Sequence, residues 1–291
     1  MCVADAIGDC GTFRQLPSAA HAVRSLWRIE SDLGLTVKWA DRNVGASSAE
    51  DYGDLLAWGE TQPKEDYSWM SYRWCEVDYQ GGVYYYIFTR YWPGNDYLLP
   101  NMHRGKYAYP EGGVVRAQTY WGYVNQDANI ELSVLKPSDD AASVAYGPEW
   151  RTPTRKEWAE LMDNCRFVLV DADGVMGMKV ISKKNGNSIY LPFTGQGEGT
   201  VSVFQGYNTG YFKHDNGNDR GLRGYYWSSD LYLNDDFYKA YYTESSSTGA
   251  TAPSKAPCRS AYYFRVTDLG EYDINRMQRF YGHAVRAVYD K

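Results

Sequence analysis

The sequence predicts an α+β fold of short antiparallel strands, two or more helices and long loops. Three observations lead there. β-branched and aromatic residues gather in runs too short for helices, such as 83–91 and 224–229. A few stretches carry helix-start chemistry beside apolar residues at helical spacing. Gly, Asn, Pro, Ser and Tyr fill long intervals, notably 93–130 and 245–257.

Residues 1–30 read as a lead-in with one short helix over 18–28, where Ala22, Leu26 and Ile29 share a face. Residues 31–291 read as one domain with insertions near 93–130 and 245–257. Its first strand is 37–40, followed by a turn at 43–46. An aromatic-rich segment covers 67–74, and 83–91 is the strongest β-former run. A short helix is predicted over 138–145, capped by Ser138 with acids in its first turn.

The best helix is 154–164. Thr154 and Glu157 have capping-box spacing, and Trp158, Leu161, Met162 and Cys165 fall on one face. Strands follow at 176–182 and 188–193, joined by a hairpin turn at Asn185-Gly186. Further strands are expected at 224–229, about 237–243, 261–266 and 282–288. Trp150 and Trp227 read as core residues.

Composition bounds the function. The chain has 291 residues and a formal net charge of −6, without basic runs, so a nucleic-acid backbone is a poor partner. No apolar run approaches the roughly 18 residues of a membrane span. The first ten residues carry acids where a signal peptide has a basic flank and an apolar centre. The five Cys are few and widely spaced and include no C-x-x-C. The four His show no zinc spacing, so no metal cofactor is expected. There are 28 Tyr and 10 Trp against 9 Phe. Tyr offers wide contact area and a hydrogen-bonding tip at low entropy cost, which suits adaptable binding surfaces. It also favours strands, so a Tyr-rich β protein explains the excess equally well.

Several motifs fail as chemistry. His214-Asp215-Asn216-Gly217-Asn218-Asp219 clusters oxygen ligands, and Asp215, Asn218 and Asp219 are weak calcium candidates. EF-hand spacing fails because Tyr226 stands where Glu is required. Residues 171–174 read as a turn. Residues 195–199 lack G-x-G-x-x-G, and Glu198 would repel phosphate. No Ser-His-Asp or G-x-S-x-G pattern supplies a nucleophile.

Five blocks carry a resemblance: 32–46 (DLGLTVKWADRNVGA), 57–61 (AWGET), 150–161 beginning WRTPT, 224–229 (GYYWSS) and 281–288 (YGHAVRAV). In this order they resemble the Fibrobacter major paralogous domain family, over about 32–288. The resemblance implies a C-type lectin fold of the formylglycine-generating-enzyme-like subtype, with a home at the surface of gut Bacteroidales or in a phage virion. It also implies kinship with variable proteins of diversity-generating retroelements. In those proteins a C-terminal stretch is rewritten toward Tyr, Asp, Ser, Asn, His, Phe and Ile. The stretch here is rich in such residues, Tyr262 and Asp273 among them.

The expectation is therefore a non-enzymatic protein that presents a variable face to a protein or carbohydrate ligand. The candidate ligand-binding residues are Tyr232, Asn234, Asp235, Tyr238, Tyr263, Arg265, Asp268, Tyr272, Asn275, Phe280 and His283, in two patches meeting on one face. Alternatives are an invariant cell-surface adhesin, a calcium-dependent lectin module, or a formylglycine-generating-type oxidase. That oxidase needs two neighbouring C-terminal thiolates, and this region has only Cys258.

Overall fold

The computed structural model describes residues 30–80, 83–91, 118–123, 134–199, 219–232 and 260–291. Among these, strands and two helices form a mixed α/β fold whose strand pairing is mostly antiparallel. The expected lead-in helix at 18–28 and the strand at 237–243 lie outside the described residues, as does the insertion at 245–257.

Among the described residues four sheets are built. The first joins β1 (Glu30–Ser31), β2 (Val37–Ala40) and β6 (Trp150–Arg151) to the last strand, β13 (Val288–Asp290), in the order β1-β2-β13-β6. The second holds β3 (Cys75–Gln80), β4 (Val83–Phe88) and β5 (Gln118–Tyr123), with β4 and β5 parallel. The third is a meander of β7 (Cys165–Ala172), β8 (Val175–Ser182) and β9 (Ser188–Pro192). The fourth has β10 (Arg223–Leu231), β11 (Ser260–Thr267) and β12 (Tyr272–Gln278).

The two meander turns follow from local chemistry. Asp173 and Gly174 both have positive φ, 53° and 89°, as a two-residue turn between right-twisting strands requires. At the second turn Gly186 has φ 78°, and its N–H donates to the Ser182 carbonyl at 3.1 Å.

Helix α1 is Ala141–Tyr146 and helix α2 is Arg155–Asn164. At α2 the capping box forms in full. The Thr154 hydroxyl accepts from the Glu157 N–H at 3.3 Å, and the Glu157 carboxylate accepts from the Thr154 N–H at 2.7 Å. Trp158 and Leu161 turn inward. Helix α1 starts later than the sequence suggests, and its cap is Asp140, not Ser138. The Asp140 carboxylate takes the N–H groups of Ala142 (2.9 Å) and Thr152 (2.8 Å) and the Thr152 hydroxyl (2.7 Å). One buried acid thus satisfies a helix start and a strand end together.

Strands β3, β7 and β12 are not among the strands the sequence predicts: β3 and β12 are mixed in polarity, and β7 begins at Cys165, directly after α2. Strand β5 lies inside the interval read as loop.

The fourth sheet divides the interior. Residues paired across antiparallel strands share a face. Trp227 pairs with Tyr263, and both enter a cluster with Trp58, Tyr72 and Phe280. Tyr226 pairs with Phe264, and both enter a second cluster with Trp39, Trp158 and Phe193. Both faces of β10 and β11 are therefore core.

Residues 282–288 were expected to be one strand. Only the end is, as β13. Before it, Gly282, His283 and Ala284 bridge in turn to Gly197, Leu56 and Tyr226. The Val285 and Ala287 carbonyls accept from the Val44 and Ala40 N–H groups, each at 2.9 Å. The segment threads between sheets, and its backbone bonds change partner at nearly every residue. Arg286 is fully buried on it, donating to the carbonyls of Ala40 (3.1 Å) and Tyr190 (2.7 Å) and to the Asn43 side-chain oxygen (2.9 Å).

Candidate ligand-binding surface

The two expected patches converge on the fourth sheet, but not on one face. Arg265 pairs in register with Asp273, and Tyr263 with Asn275. These side chains share the face that holds Tyr225. Tyr272 pairs with Val266 and belongs to the opposite face, toward α2. Arg265 and Asp273 form a double-bonded ion pair at 3.1 and 2.8 Å. Asn275 is exposed beside them. Asp268 sits half-buried where β11 turns toward β12, its N–H held by the Leu222 carbonyl at 2.9 Å.

On the α2 face, Tyr272 stacks on Phe167 with ring centres 4.0 Å apart and is still 38% exposed. Tyr232, just past β10, meets Tyr262 edge-on at 5.3 Å. The Arg276 guanidinium lies over the Tyr232 ring at 4.2 Å, and that of Arg155 lies over the Tyr262 ring at 4.5 Å. Arg155 also donates to the Tyr262 hydroxyl at 3.2 Å. Arg155, Tyr262, Tyr232 and Arg276 thus form one continuous strip. Its members come from a helix start, two strands and the end of a third. No local pattern could place Arg155 or Arg276 in it.

Three candidates are not surface residues. His283 has no exposed area, because the threading segment carries it between Trp227, stacked at 4.0 Å, and Tyr263, edge-on at 4.9 Å. Neither ring nitrogen has a hydrogen-bond partner. Burial holds its pKa well below the usual histidine value, so the imidazole is neutral. Tyr263 is buried beside it. Phe280 is buried against Trp69, with ring centres 4.8 Å apart. These three belong to the core that supports the sheet. Asn234, Asp235 and Tyr238 lie outside the described residues.

Of the calcium candidates, Asp215 and Asn218 also lie outside the described residues. Asp219 adopts φ 63°, and its carboxylate accepts from Arg223 at 2.9 Å and from the Tyr225 hydroxyl at 3.1 Å. Those bonds make it a loop anchor. Among the described residues no group of three or more His, Cys, Asp or Glu side chains could hold a metal ion. Cys165 is buried, and desolvation pushes its thiol up to about 11. Among the described residues no helix is long and apolar enough to cross a membrane.

Comparison with family models, with curated proteins and with solved structures finds no match to this chain.

Proposed function

We propose that this chain is a non-enzymatic binding protein with a C-type lectin fold, of the Fibrobacter major paralogous domain type. It presents the fourth sheet and its flanking loops to a protein or glycan. The observation that carries this reading is the contrast within that sheet. Most residues of β10 and β11 are buried, on both faces, whereas β12 leaves Tyr272, Asn275 and Arg276 in solvent. A rigid, doubly packed support beneath exposed aromatic, amide and guanidinium groups suits recognition. Exchange of the exposed residues leaves the core intact, which suits a stretch diversified by a retroelement. The mixed, mostly antiparallel architecture of the described residues, with its two helices, accords with the lectin-type reading. Catalysis is disfavoured by the neutral, unpartnered His283 and the raised thiol of Cys165.

Sequencing the DNA around the gene tests diversification. A near-identical repeat differing at adenines, beside a reverse transcriptase, is the expected finding. A locus with neither would leave an invariant binding module. A glycan-array signal abolished by chelator would instead identify a calcium lectin.

A further inference from the structure

The strip Arg155–Tyr262–Tyr232–Arg276 and the open edge of β12 occur side by side, and each points to a ligand. Both guanidiniums sit on tyrosine rings, and among the described residues neither has a carboxylate partner, although the chain is acidic overall. The nearby carboxylates have other partners. Asp230 accepts from the Arg155 backbone N–H and from the Ser228 hydroxyl at 2.9 Å. Asp273 is paired with Arg265 on the opposite face. Arg155 and Arg276 are both exposed. A guanidinium stacked on an aromatic ring keeps its in-plane N–H groups free to grip a carboxylate, and the stacking limits the rotamer freedom lost on doing so.

The second observation is main-chain geometry. β12 pairs with β11 along one edge, from Tyr272 opposite Val266 to Gln278 opposite Ser260. Among the described residues no strand takes its other edge. Such an edge receives an extended peptide as an added strand. In that pairing, partner side chains opposite Tyr272, Ile274 and Arg276 fall on the α2 face, next to the strip. In an alternating peptide the acids lie together on that side, alongside Arg276 and the strip, and the apolar residues face the other way.

We propose that β12 and the Arg–Tyr–Tyr–Arg strip form the docking site for an extended acidic protein segment, added as a fourth strand with its carboxylates on Arg276 and Arg155. This rests on the binding reading above and names its ligand class. A peptide fits better than an acidic glycan for two reasons. The strand edge offers hydrogen bonds that match a backbone. The Tyr232 and Tyr262 rings each carry a guanidinium and meet edge-on, so they present no open platform for a sugar.

The test measures binding of a labelled alternating Glu-Val peptide to the full chain, beside Gln-Val and Lys-Val peptides and polygalacturonate. The expected result is Glu-Val binding that weakens with salt and falls roughly tenfold or more in the Arg155→Gln/Arg276→Gln double variant. The melting temperature should be unchanged, and Lys183→Gln, remote on an exposed turn, should bind as the parent does. Glu-Val binding indifferent to the double variant would overturn the proposal, as would preference for polygalacturonate. If Gln-Val or Lys-Val binds instead and depends on Asn275 or Tyr272, the acidic class is wrong but the binding sheet stands. If no probe depends on any β12 residue, both fall.

Discussion

At the residue scale, two fully buried basic side chains meet their burial differently. Arg286 gives its N–H groups to two carbonyls and an amide oxygen. His283 gives nothing and avoids charge. Its folded pKa lies below the unfolded value of about 6.5. Above about pH 6.5 the imidazole is neutral in both states and adds no pH dependence. Below that, the unfolded chain takes a proton that the folded chain refuses. Stability should therefore fall as pH drops from 6.5, by up to about 1.4 kcal/mol per pH unit. Urea midpoints across pH 5–7 check this, and His283→Leu should flatten that leg. Trp158 is the corresponding apolar anchor. It is fully buried, stacked on Phe264 with ring centres 4.6 Å apart, and 4.7 Å from Trp39. Trp158→Ala should cost about 3–5 kcal/mol in chemical denaturation; a change within error would remove α2 from the core.

At the element scale, the segment leading to β13 depends on two glycines. Gly197 and Gly282 exchange N–H···O bonds of 2.7 and 2.9 Å, with the Tyr67 ring lying across both. A Cβ on Gly282 would stand 2.7 Å from a Tyr67 ring carbon. That ring is buried, and its hydroxyl donates to the Leu55 carbonyl, so it cannot swing away cheaply. Gly282→Ala should destabilise by about 1–3 kcal/mol, read from thermal or urea melts. Pairing it with Tyr67→Ala should give less than the sum of the two losses, since the clash is then gone.

At the scale of the whole molecule, the fourth sheet separates two aromatic cores and exposes mainly its last strand. Recognition and stability should be separable there. Asp268→Ala with Asn275→Ala should shift stability by no more than about 0.5 kcal/mol per site while altering binding. Unfolding of that double variant would make the stretch structural. Tyr272→Ala should cost more than either, because its ring is stacked on Phe167.

The local devices are legible in the chain alone. The Thr154–Glu157 box, the Asn185-Gly186 hairpin and the strands at 37–40, 176–182 and 188–193 need only neighbours a few residues away. The sequence also marked Trp150, Trp158 and Trp227 as buried. The side of the fourth sheet that each residue faces follows from long-range strand pairing instead. Register alternation sends Arg265 and Asn275 one way and Tyr232 and Tyr272 the other. A polar-looking run, 272–278, became a strand, the last of its sheet among the described residues, because β11 supplies its hydrogen bonds. His283 and Phe280 matched binding residues in type, yet the threading of 279–287 between two sheets put them inside. Arg155 reached Tyr262 across 107 positions of sequence. Side-chain chemistry is written in the residue, but burial and company depend on pairings far along the chain.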